Sequence, residues 1–97
     1  MSVRLLIALA LAAAACGGPS LPVATEADAA RVQIGKADLD RGRALLIAKC
    51  SACHITPAPR DHRAASWPGH VADMAARAKL VDNEASLITQ YLTAFAE

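Results

Sequence analysis

The chain has 97 residues, 55% of them hydrophobic, but much of that fraction is alanine and much of it falls in the first fifteen positions. A chain this short supports one domain with a small core. Ten Lys and Arg stand against nine Asp and Glu, so the basic excess that phosphate-backbone binding draws on is missing and nucleic acid is excluded as an expected partner. Trp67, Tyr91 and Phe95 are too few to supply most of a packed interior, since aromatic side chains usually carry much of the buried area of a small domain. Something else is expected to fill the middle.

The amino terminus reads as an export signal. Arg4 is the only early charge, an apolar run follows from Leu5 to Ala15, and small residues lead into Cys16. That run falls well short of the roughly 20 residues a helix needs to cross a bilayer. Residues 1–15 are therefore expected to be a signal peptide rather than a transmembrane anchor. The stretch Leu11-Ala12-Ala13-Ala14-Ala15-Cys16-Gly17-Gly18 resembles the lipobox of bacterial lipoproteins, in which the signal is cut before a cysteine that becomes lipid-modified. It departs from the commonest pattern in having Ala13, rather than leucine, three positions before the cysteine. The resemblance implies lipidation of Cys16; the alternative is an ordinary secretory signal cut after Ala14 or Ala15. Cutting before Cys16 removes Arg4 and leaves nine basic against nine acidic residues, a formally neutral mature chain. Two acyl-type chains on one cysteine hold a protein stably at a membrane, where a single chain gives only marginal binding. On either reading the folded part works outside the cytoplasm, on the periplasmic side of a bacterial membrane.

Residues 16–36 are expected to be a flexible tether. The composition there shifts to Gly, Pro, Ala and scattered charge, and Pro19 and Pro22 block early helix. Glu26 to Val32 offers a short helix with few large apolar residues. The folded domain is expected over 37–97. Asp38 or Asp40 is placed to cap a first helix running toward Lys49, with Leu39, Leu45, Leu46 and Ala48 as its apolar face. Gly42 interrupts that face at a cost of roughly 1 kcal/mol relative to alanine, which makes sense where another helix crosses closely. Ser66-Trp67-Pro68 announces a second helix, along which Val71, Met74, Ala75 and Ala78 share one face up to about Leu80. A third starts at Asp82 or Asn83 and carries Ala85, Ile88, Tyr91 or Leu92, and Phe95 as its stripe to Ala96. No stretch alternates over strand length, so the fold class is all-α, with three helices and long irregular connections.

Between the first two helices lies Cys50-Ser51-Ala52-Cys53-His54. This is C-x-x-C-H, the attachment pattern of c-type haem. Two thiols at this spacing reach the two vinyl groups of one haem and form thioethers, and the adjacent imidazole is then held under the ring to ligate the iron. Export fits, because such attachment takes place outside the bacterial cytoplasm. Three other readings compete. A thioredoxin-type redox pair needs a βαβ context and a helix starting at the first cysteine, whereas here a helix precedes the motif and Pro57 and Pro59 follow it. A zinc site needs about four ligands, and only His62 and His70 remain to complete one. A Cys50 to Cys53 disulfide would staple only a tiny loop.

From about Asp38 to Phe95, some three fifths of its length, the chain resembles a small class I cytochrome c of a compact bacterial type. The matching pieces are Gly42-Arg43-Ala44-Leu45-Leu46 before the motif and Glu84-Ala85-Ser86-Leu87-Ile88-Thr89-Gln90-Tyr91-Leu92 near the end. The resemblance implies that the first and last helices cross around the haem, with Gly42 facing Tyr91. It also implies that a proline carbonyl after the motif, with Pro57 nearest, accepts from the axial histidine and fixes its tautomer. Trp67-Pro68-Gly69-His70-Val71-Ala72-Asp73-Met74 is similar to the Trp-x-x-x-Val-x-x-Met stretch of that compact subgroup, whose sixth iron ligand is the helical methionine.

Met74, the only methionine of the mature chain, is accordingly expected to pair with His54 as the second axial ligand, although a methionine at helical spacing is more often core. His70, four residues earlier, is the rival, and His62 a weaker one. Trp67 is expected to pack against the haem. Arg60 and Arg63 either hold its propionates or are solvated. One covalently attached haem c would supply what the small core lacks, leaving the apo chain largely unfolded. The reading is a tethered electron carrier rather than an enzyme, with redox proteins as donor and acceptor and a lipid anchor at the membrane. The alternatives are a haem enzyme or ligand sensor with an open or His-ligated sixth position, and the cytochrome subunit of a periplasmic dehydrogenase.

Overall fold

The structure, a computed structural model, describes residues 21–51 and 56–97. The expected signal peptide, Cys16, Cys53 and His54 lie outside the described residues. In chain order the helices are α1 Glu26–Val32, α2 Lys36–Cys50, α3 Trp67–Ala75 and α4 Glu84–Ala94, with 3-10 turns at Pro59–Asp61 and Ala64–Ser66 before α3. Among the described residues there is no strand, so the all-α class holds, with four helices where three were expected. None of these helices is long and apolar enough to cross a membrane.

Helix α2 starts at Lys36, ahead of both aspartates expected to cap it. The carbonyl of Gly35 accepts from the Asp38 and Leu39 amides at 3.0 and 3.1 Å. Asp40 is instead paired with Lys36 one turn back at 2.8 Å, which holds that ammonium's pKa above its ordinary value. Leu39, Leu45 and Leu46 are buried, whereas Ala48 is exposed rather than on the apolar face.

The most extensive helix pairing is α2 against α4. It is close because of Gly42. A Cβ built there would overlap the Leu87 carbonyl oxygen and lie 2.9 Å from Tyr91 Cβ. Around this crossing Leu45, Leu46, Trp67, Val71, Ile88, Tyr91 and Leu92 form the main core.

Helix α3 ends at Ala75, short of Leu80. Lys79 takes a left-handed conformation with φ 56°, while Leu80 N–H reaches back to the Ala75 carbonyl at 3.0 Å and Lys79 N–H to Ala76 at 3.3 Å. These two bonds are the Schellman pattern that closes a helix. Helix α4 starts after Asn83, whose side chain makes no capping bond, and runs to Ala94 rather than Ala96.

The expected tether is the main correction. Residues 21–36 are packed on the domain, so the folded unit extends before Ala37 and includes Leu21. Leu21 joins the main core, and Ala24 and Ala29 join Leu39 and Ala94 in a second cluster. Arg43 donates to the Leu21 carbonyl at 3.3 Å, and the Tyr91 hydroxyl donates to the Pro22 carbonyl at 2.6 Å. Helix α1 is started by a capping box: Thr25 Oγ1 accepts from the Asp28 amide at 3.1 Å, and Asp28 accepts from the Thr25 amide at 2.9 Å. That amide bond, followed by the Thr25 hydroxyl, holds the Asp28 carboxyl below its ordinary pKa. Arg31 then ties α1 to the far end of α4, donating to the Ala94 carbonyl at 3.1 Å and lying 5.9 Å from the centre of the Phe95 ring.

Gly42→Ala is expected to cost a net ~2 kcal/mol, because overpacking of up to about 3 kcal/mol outweighs alanine's helix preference of about 1 kcal/mol. Gly69→Ala, with no atom within 4 Å of the added carbon, is expected to be neutral or to gain about 0.5 kcal/mol. Denaturant unfolding of the two variants decides it, and equal midpoints would contradict the crossing.

Burial raises the Tyr91 phenol pKa above its ordinary value of 10.0, with Arg43 opposing more weakly. The folded state therefore keeps a proton that the unfolded chain releases. The resulting stability is present below pH 10 and is lost as the pH rises through the folded-state value. Tyr91→Phe is expected to lose about 1 kcal/mol near neutrality with the Pro22 bond, and to show a shallower loss of stability above pH 10 than the parent chain.

Candidate functional site

Cys50 is the last residue of α2 and is half-buried, packed against the main core. Its position follows from the crossing, since it lies eight residues beyond Gly42, about 12 Å along the same helix. Ser51 and Thr56, which flank the rest of the motif, are hydrogen-bonded to each other through their hydroxyls. Lys49 and Glu84 approach to 4.0 Å, and Glu84 also accepts from the Val81 amide at 2.9 Å. An ion pair at the limit of contact distance adds little stability. It does mark where the end of α2 meets the start of α4.

Apolar cover thins toward this end. Leu39 and Leu46 are fully buried, whereas Cys50, Leu80 and Ala85 are only partly covered at the edge of the main core. Ile47, one turn before Cys50, is 40% exposed, and Val81 is 58% exposed. Apolar side chains left uncovered together are the kind of surface that a partner or a cofactor covers.

On α3, Trp67 and Val71 are buried, while Met74, Ala75 and Ala78 on the expected apolar face are half-buried. The thioether of Met74 is thus not part of the fully buried core. Trp67 is completely buried and its ring N–H donates to the Pro59 carbonyl at 2.9 Å. This indole N–H is therefore committed within the chain. Pro57, expected to offer a carbonyl to His54, is half-buried, and its intended partner lies outside the described residues. Arg60 and Arg63 are exposed.

The two other histidines come together, which nothing in their spacing announced. The His62 and His70 rings stack at 3.8 Å and 29°, and Trp67 meets His62 edge-on at 4.9 Å. The 3-10 turns at Pro59–Asp61 and Ala64–Ser66 bring His62 back over α3. Among the described residues no three His, Cys, Asp or Glu side chains gather as a metal centre would require. A groove of about 550 Å³ runs between α3 and α4 past Pro68, Val71, Ala72, Thr89 and Gln90, and neither Cys50 nor Met74 lines it. Of the expected donors, Cys50 stands at the end of α2 beside partly covered apolar surface and Met74 is half-buried on α3.

Comparisons with models of known protein families, with curated proteins and with solved structures give no match.

Replacing Trp67 by Phe removes the donor to the Pro59 carbonyl and is expected to cost about 1–3 kcal/mol, the penalty for a buried acceptor left unpaired. Denaturant unfolding gives the size. Amide exchange across residues 56–66 gives the place, and unchanged protection there would contradict the bond's role in holding the connection.

Proposed function

We propose that this chain is a periplasmic, membrane-tethered c-type cytochrome that carries one electron between redox proteins and is not itself an enzyme. The observation that carries the reading is the C-x-x-C-H sequence starting at the last residue of α2, where Cys50, Leu80, Ala85, Ile47 and Val81 leave apolar surface incompletely covered. The donor set has the right chemistry for a covalently attached haem: two thiols three positions apart, an imidazole next to the second, and a methionine outside the fully buried core. When bound, the haem supplies a reversible one-electron couple.

The chain's own residues have separate tasks. Cys50 and Cys53 would hold the haem through two thioethers, each S–H adding across one vinyl bond. His54 and Met74 would hold its iron, a pair that would raise the reduction potential relative to two histidines. His70, the rival, has its ring stacked on His62, which supports Met74. Trp67 holds the connection after the motif through Pro59. The half-covered side chains around Cys50 exclude water from the porphyrin face. Encounters between redox carriers are small and transient, so no deep substrate pocket is required.

Optical spectra of the protein made in cells that attach haem test this directly. The parent is expected to show a c-type spectrum with the weak methionine-to-iron charge-transfer band. Met74→Ala is expected to lose that band and to bind carbon monoxide rapidly when reduced, while His70→Ala keeps the parent spectrum. Absence of covalent haem from the parent would overturn the proposal.

A further inference from the structure

Leu21 and Pro22, five and six residues after Cys16 in sequence, are fixed to the domain. Leu21 is 8% exposed in the main core, its carbonyl accepts from Arg43 on α2, and the next carbonyl, that of Pro22, accepts from Tyr91 on α4. Val23 follows with 64% of its surface exposed. Five residue steps separate Cys16 from Leu21, a reach of at most about 17 Å even fully extended. A tether running to Lys36 would have reached about 70 Å.

We infer that the acylated protein rests on the bilayer surface by its Leu21–Val23 strap, with the Val23 side chain in the headgroup region, instead of ranging on a long leash. The inference rests on lipidation of Cys16 as read from the sequence, and the occupant of this surface is the lipid bilayer itself. Chain length limits the geometry: with acyl chains in the membrane, Leu21 lies within about 17 Å of the acylated residue. The mature chain is formally neutral, so charge adds little attraction to anionic lipid. Apolar contact at Val23 is the contribution left to the strap. Cys50 lies seven residues beyond Arg43 on the same helix, about 10 Å along it.

The test uses the full-length, processed protein bound to phosphatidylethanolamine and phosphatidylglycerol vesicles, with a nitroxide on V23C. A second form carries about ten Gly and Ser residues inserted between Gly18 and Pro19. Collision of the label with a water-soluble nickel chelate and with oxygen is read by power saturation. On vesicles the V23C label is expected to lose collisions with the chelate severalfold and to gain collisions with oxygen. The inserted form is expected to return to its solution values while staying vesicle-bound. Equal chelate accessibility on and off vesicles, in protein whose mass shows an acylated Cys16, would overturn the inference alone. A mass showing an unmodified Cys16 would overturn the lipid reading and the inference together.

Discussion

The close approach of α2 and α4 at Gly42 is the contact on which the rest of the structure depends. Without a side chain at that position the helix can lie against the Leu87 carbonyl and the Tyr91 β-carbon. Leu45 and Leu46 are thereby brought against Ile88 and Leu92 in the same core. Moving the helices apart by one methyl group would open gaps along that layer and cost the contacts across it. A glycine in mid-helix is unfavourable locally. It persists because what it permits extends over two whole helices.

The same crossing organises both ends of the molecule, in different ways. At the Leu39 end, small residues from α1, α2 and α4 close a second cluster. Arg31 spans it to the Ala94 carbonyl, and Tyr91 reaches through to the Pro22 carbonyl. At the Cys50 end the cover is incomplete, with Ile47 and Val81 open to solvent. A small domain has too little apolar surface to seal both ends. Here the amino-terminal segment seals one end, and the other, at Cys50, stays partly open.

How much of this is legible in sequence depends on what does the packing. The stripes on α2, α3 and α4 are readable because leucine, valine and isoleucine recur at helical spacing, and Leu39, Leu46, Val71 and Ile88 are all buried. The packed amino-terminal segment is not. It is held by alanines, by backbone carbonyls at Leu21 and Pro22, and by donors on residues far away in the chain, none of which leaves a periodic pattern. Its one local signal is Thr25-x-x-Asp28, a capping box written with Asp where Glu is usual. At the candidate site the donor residues are plain in the sequence. The bond from Trp67 to Pro59 and the stack of His62 on His70 are not, because both depend on the dihedral angles of two short 3-10 turns.

Packing of the first described residues changes what an anchor at Cys16 would mean physically. A flexible leash gives a carrier a wide volume to search and a low effective concentration at any one partner. A short, fixed connection narrows the volume and raises that concentration, provided the partner's site lies within reach. The bonds from Arg43 and Tyr91 to consecutive carbonyls are therefore more than local stability. They join Leu21 and Pro22 to α2 and α4, so the placement of this strap and the direction of the helix that ends in Cys50 become one variable.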